Sequence, residues 1–133
     1  MIPGIPQIRM SRCVSGVTQL NAANAERHWE DSIGIIGNWR QRGPAYEIPF
    51  SCMRGKKIQN LVTAGRCVSA DPVMLDQLRV IPACAVTGEA AGLAAAMSHD
   101  FIKLDIDNLQ YRLTERGIPL HKEDIEKTFL NLD

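Results

Sequence analysis

Between Ala83 and Ser98 nearly every residue is small: Ala83, Ala85, Gly88, Ala90, Ala91, Gly92, Ala94, Ala95 and Ala96. Alanine gives up no side-chain entropy on entering a helix, so the run predicts a helix with very little bulk. Pro82 stands where a first helical residue would, because its missing N–H costs nothing there. Such a helix can be approached closely by another backbone or by a flat ligand. Gly88 and Gly92 lie four residues apart and therefore share a face. On periodicity alone, the run serves tight packing of a helix against a sheet. A second reading concerns its start. Unpaired N–H groups over Pro82–Ala85 would give the helix end a positive charge of about half a unit, which favours an anionic or electron-rich ligand. Arg79, just upstream, either adds to that charge or makes an ordinary surface ion pair.

The remaining segments read as short elements joined by breakers. Ile2-Pro3-Gly4-Ile5-Pro6 is a connection. Loose alternation from Gln7 to Leu20 around Gly16 predicts two short strands or a hairpin. Asn21 is placed to cap a helix running from Ala22 to about Trp29. Asp31 to Ile36 reads as a strand, Gly37 to Pro44 as a surface loop, and Tyr46 to Phe50 as a strand whose Pro49 assigns it to an edge or an end. The apolar run Leu61-Val62-Thr63-Ala64-Gly65 predicts a buried strand that turns sharply at its glycine. After Asp71-Pro72 a linking stretch reaches Arg79. Asp105 caps a predicted helix through Arg116, closed by Gly117, and a further short helix is expected from Lys122 to Leu130.

Charge excludes several classes of partner. Fifteen basic residues balance fifteen acidic ones in 133, so no long-range field favours nucleic acid or an anionic membrane. The densest basic cluster, Arg54, Lys56 and Lys57, reads as a solvated turn or, less simply, as a contact for an anionic ligand. No apolar run approaches the ~20 residues of a membrane span, and no signal-like segment opens the chain. A cytoplasmic protein without membrane contact is expected. Cys13, Cys52, Cys67 and Cys84 form no CxxC pair, which suits reduced thiols. No metal site is expected, because His28, His99 and His121 are scattered without ligand spacing relative to those cysteines.

Three blocks carry a resemblance: Asn60-Leu-Val-Thr-Ala-Gly-Arg-Cys-Val-Ser69, then Arg79-Val-Ile-Pro-Ala-Cys84, then Thr87-Gly-Glu-Ala-Ala-Gly-Leu-Ala-Ala-Ala96. In order and spacing the chain resembles a family of bacterial FAD-dependent oxidoreductases. These are flavoproteins of the two-dinucleotide-binding type, broadly related to the fumarate reductase flavoprotein and to glutathione reductase. Arg9 to Arg12, Glu30 to Ile33, Tyr46 to Phe50 and Asp105 to Gly117 are similar to family positions too, so the likeness covers nearly the whole chain.

The resemblance implies an α/β fold: the C-terminal part of an FAD/NAD(P)-binding, Rossmann-like, three-layer domain with a strand-rich remnant of the substrate domain. Residues 1–50 would be that remnant, and residues 51–133 the C-terminal FAD-binding segment. Carried over, Gly65 permits close backbone approach and Arg66 lies near the phosphates or the ribityl chain. Pro82, Ala83 and Cys84 aim the helix start at the flavin ring, with Thr87 and Gly88 behind it and Arg79 beside it. The catalytic base is left unassigned. The family's Gly-x-Gly-x-x-Gly phosphate fingerprint does not occur in the 133 residues at any register. The chain alone is therefore expected to be inactive and to bind FAD weakly. The histidine-bearing stretch often found in the family near Gly37 to Pro44 is missing, and that loop is short.

Two functions follow from this. The first is hydride or electron transfer through the flavin, in an assembly with a chain that carries the missing N-terminal part. The alternative is a non-catalytic binding or assembly module of the same fold, working with a partner chain or by self-association. A cysteine enzyme built on Cys84 is a weaker third reading, since no histidine lies in a pairing motif with it.

Overall fold

The computed structural model describes residues 12–125. Helices and a two-stranded antiparallel sheet share one core, a mixed composition compatible with the expected α/β class. Strand β1, Ser32–Gly37, pairs with β2, Ala45–Pro49, through Ile35 opposite Glu47 and Ile36 opposite Tyr46. The loop between them covers the expected stretch, and Pro49 ends its strand as a residue without an N–H should. The register slips between Ser32 and Ile35, where Gly34 takes φ +152. Glycine is required there twice over, because a Cβ would also sit 2.4 Å from Val86 Cγ1.

Val86 belongs to the small-residue helix α2, Ile81–Met97. Ahead of it runs α1, Pro72–Leu78, at 85° to α2 across a short break. Asp71 caps α1 by accepting the Met74 N–H at 2.7 Å. The linking stretch expected there is thus a helix: aspartate followed by proline is a start signal that outweighs the segment's weak periodicity. Helix α3, Ile106–Thr114, is capped by Asp105, which accepts the Asn108 N–H at 3.0 Å. Gly117 closes it at φ +78, the left-handed conformation that ends many helices. Fully buried Leu109 and Leu113 hold α3 to the core, each worth about 2 kcal/mol by burial. They join Leu20, Ile33, Ile48, Phe50, Met74 and Leu78 in the same core.

Several expectations are corrected. The helix after Asn21 is a single 3₁₀ turn, Ala22–Asn24. Its cap forms as expected, with Asn21 Oδ1 accepting from Ala23 and Asn24 Oδ1 accepting from the Asn21 N–H. Glu26 then enters the left-handed region at φ 58, and its N–H turns to the Ala45 carbonyl, which ends the helical path. The strands expected up to Leu20 reduce, in the described part, to single bridges of Gly16 with Gly55 and of Leu20 with Ala70. Residues 61–65 form no buried strand. Leu61 is 37% exposed, and only Val62 makes a bridge, to Arg54. The Thr63 N–H goes to the Met53 carbonyl, so this backbone is satisfied by irregular chain rather than by a ladder. The connection at residues 2–6, residues 7–11 of the expected hairpin and residues 126–130 of the last helix lie outside the described residues, and residues 122–125 are helical. No single helix among the described residues is long and apolar enough to cross a membrane.

Candidate functional site

The expected site residues fall into two neighbouring groups around the start of α2. The first is the turn Gly65–Cys67, which follows extended Ala64. Gly65 adopts φ +66, and a Cβ on it would lie 3.3 Å from Cys84 Sγ. The glycine thus permits close approach, and the neighbour it admits in this fold is Cys84. The Gly65 N–H donates to Thr87 Oγ1 at 2.9 Å, while that hydroxyl donates to the Ala83 carbonyl at 2.8 Å. Thr87 is fully buried, so a single hydroxyl ties the turn to the first turns of α2. The Cys67 carbonyl accepts from Val14 at 2.8 Å, which fixes the other end of the turn. Arg66 projects from this clamped turn and is exposed.

The second group is the corner between α1 and α2. Arg79 donates to Asp76 Oδ1 from Nε at 2.9 Å and from Nη2 at 2.6 Å. Arg40 donates to the other oxygen of the same carboxylate at 2.6 Å. The Arg79 guanidinium, and with it that of Arg40, holds the Asp76 carboxyl below its ordinary range against the opposing effect of burial. Of the two sequence readings for Arg79, the ion pair is the one that forms. Arg79 and Arg40 share the one Asp76 carboxylate at this corner.

Sequence reasoning missed the part played by the loop between the strands. The Trp39 indole N–H donates to the Asp76 carbonyl at 3.1 Å, its backbone N–H to Gln77 Oε1 at 3.2 Å, and the Arg40 guanidinium lies 4.4 Å over its ring. The loop is thereby fastened to the end of α1. A tryptophan and an arginine together in an otherwise polar loop were the available signal.

The first turn of α2 itself is open. Ile81 is 86% exposed, and Pro82, Ala85 and Gly88 are exposed with it. A Cβ at Gly88 or Gly92 would meet nothing within 4 Å among the described residues. The Cys84 N–H is already bonded to the Val80 carbonyl at 3.0 Å. Helical geometry therefore leaves the N–H groups of Val80, Ile81 and Ala83 without an intrahelical acceptor, a set that starts two residues before Pro82 and excludes Cys84. Ala83 and Thr87 point inward instead and are buried.

All four cysteines are free. Cys52 is sealed in the core, where burial pushes its thiol far up from its ordinary range and leaves it unreactive. Cys84 Sγ sits 3.7 Å from the Leu78 carbonyl, a packing position.

Residues 2–113 match the family model described as FAD dependent oxidoreductase. No curated protein and no solved structure gives a significant match.

Proposed function

Because the chain belongs to the FAD-dependent oxidoreductase family, we propose that it is the flavin-contacting C-terminal part of such an enzyme, with the start of α2 and the Gly65–Arg66 turn against the cofactor. FAD is the cofactor of the family, and when bound it supplies a ring that takes up or returns a hydride or electrons. The observation that carries this reading is the bareness of α2 beside the turn that Thr87 clamps. Exposed Pro82, Ala85 and Gly88 leave room for a flat ring, and nothing among the described residues fills the space over Gly88. In this reading the orphan N–H groups at the start of α2 meet negative charge as it develops on the ring. Arg66 meets the phosphates or the ribityl chain. Arg79 anchors the corner through Asp76, Cys84 backs Gly65, and Ala83 and Thr87 hold the helix start in place.

The Gly-x-Gly-x-x-Gly loop is not among the 133 residues. In this reading the phosphate contacts, and the parallel layer of a Rossmann-like domain, come from another chain or segment in a cytoplasmic assembly. The two described strands then lie on the substrate side. A second reading is favoured by the spacing of the exposed stripe. Ile81, Ala85, Gly88, Gly92 and Ala95 recur at four and three residues, a pattern that also admits another helix. In that case the chain is a non-catalytic assembly module.

Flavin absorbance and fluorescence separate the readings. FAD is titrated into the purified chain alone, and into the chain mixed with a family fragment carrying the phosphate loop. The expected result is a colourless chain alone and a mixture that retains flavin. Stoichiometric flavin on the chain alone overturns the need for a partner. A mixture that forms a complex but retains no flavin supports the assembly module.

A further inference from the structure

Glu47 on β2 is 6% exposed, and its ionic partners among the described residues are two imidazoles. One of its oxygens, Oε1, lies 2.9 Å from His121 Nδ1 and 3.7 Å from His28 Nδ1. The other accepts the Trp29 N–H at 2.8 Å, which fixes the plane of the carboxylate. The two imidazole rings stack with centroids 4.3 Å apart at 23°. One ligand atom from each of the three side chains lies within 4.8 Å of the others.

Three separate segments are held in place to make this cluster. The chain before His28 is fastened to β2, with the Glu26 N–H on the Ala45 carbonyl and the Ala45 N–H on Glu26 Oε1 at 2.8 Å. The His121 N–H donates to Asp124 Oδ2 at 3.0 Å, and Lys122 Nζ bonds Glu26 Oε2 at 2.6 Å, which ties residues 121–124 to the segment before His28. Glu47 comes from the middle of the sheet. The cluster opens on a cavity of about 220 Å³ whose lining includes Glu26, Arg27, His28, Glu47, Lys122 and Glu123. His28, its side chain 64% exposed, forms the solvent side. Linear spacing gave no reason to join residues 28 and 121, since only the fold brings them together.

We propose that His28, Glu47 and His121 form a binding site for a zinc-like divalent cation, with an open position facing the cavity. A carboxylate buried beside two imidazole nitrogens favours a bound cation, which pairs the carboxylate charge and takes the nitrogen lone pairs as ligands. Two imidazole nitrogens and one carboxylate oxygen are a donor set that zinc accepts, with bonds of about 2.0–2.1 Å. A tetrahedral ion at that distance spaces its donors about 3.3–3.4 Å apart. The observed 2.9 and 3.7 Å bracket that spacing on the Glu47 side, and the ion is admitted when the exposed His28 ring turns out of its stack on His121 so that both imidazole lone pairs meet at one point. The site is independent of the flavin reading and uses none of its residues.

Co²⁺ titrated into the metal-stripped full chain tests the proposal through its visible d–d absorption. One equivalent is expected to give a saturable four-coordinate spectrum without thiolate charge transfer, and Zn²⁺ to displace it. His28→Ala removes an exposed ligand and should weaken Co²⁺ by about 100-fold, whereas His99→Ala, at an exposed histidine outside the cluster, should leave the affinity unchanged. Glu47→Gln, with its fold checked by circular dichroism, should weaken it similarly. The proposal is overturned by a chain with no saturable spectrum, by equal affinity in His28→Ala, or by a spectrum dominated by thiolate bands.

Discussion

On the inner face of α2, Ala83, Thr87, Ala90 and Ala94 are all fully buried, and between them half-buried Val86 stands where a Cβ on Gly34 would strike it at 2.4 Å. On the outer face Ala85, Gly88, Gly92 and Ala95 are exposed, and nothing among the described residues stands against the two glycines. The two faces have nearly the same composition, yet only one of them needs it. Inner smallness is explained by volume, since the sheet approaches so closely that larger residues do not fit. Outer smallness has no such explanation. Each glycine there costs about 0.5–1 kcal/mol of helix stability relative to alanine, with no packing among the described residues to offset it. In the proposed flavin reading, the ring is what rests on that face.

The comparison breaks most visibly at Gly34. Gly34→Ala places a methyl against Val86 Cγ1 and forces alanine into φ +152. The expected loss is about 3 kcal/mol, the sum of overpacking and backbone strain. Urea denaturation measures it. Pairing the change with Val86→Ala should restore about 1 kcal/mol, because the clash goes while the strain stays. A loss below about 0.5 kcal/mol for the single variant would mean that sheet and helix are not in tight contact there, and the distinction between the faces would fail.

The inner face also carries the one polar side chain of α2's buried stripe, and Thr87→Val tests it. The Gly65 N–H loses its acceptor inside the protein, which costs about 1–3 kcal/mol when no other group replaces it. Thr87→Ser keeps the hydroxyl and should lose only about 0.8 kcal/mol for the missing methyl. Amide exchange at Gly65, faster in the valine variant and little changed in the serine variant, separates the lost hydrogen bond from altered packing.

The same contrast governs what could be read from the sequence. Small residues dictated the helix itself, and Asp105 with Gly117 marked α3 at both ends, because these signals are local. The two strands expected at Asp31 to Ile36 and Tyr46 to Phe50 came through for the same reason, each short and ended by glycine or proline. The segment 61–65 misled because an apolar run specifies burial only when a sheet stands ready to receive it, and here Leu61 lies at the surface. The capping reading at Asn21 held while its helix did not, since the contacts that end it, from Glu26 to Ala45, span nineteen residues. Around the site, residues adjacent in sequence were legible. The clamp from Gly65 to Thr87, the sharing of Asp76 by Arg40 and Arg79, and the meeting of His28 with His121 depend on tertiary approach that no spacing encodes.

The smallest expected effect separates structure from function most cleanly. Gly88→Ala adds one methyl to the outer face, where a Cβ meets nothing within 4 Å among the described residues. Helix propensity alone predicts a gain of about 0.5–1 kcal/mol, read as a rise in the urea midpoint, and Gly92→Ala should add a similar amount. A methyl that the free chain welcomes is an obstacle to whatever lies flat on that face. In the flavin-retaining mixture, Gly88→Ala should therefore lower cofactor retention even as the chain itself becomes more stable. A gain in stability with retention unchanged would leave the outer glycines without a role in contact and remove the main support for placing the flavin there. Opposite movements of the two readouts cannot come from altered folding, because a better-folded chain would not by itself bind less.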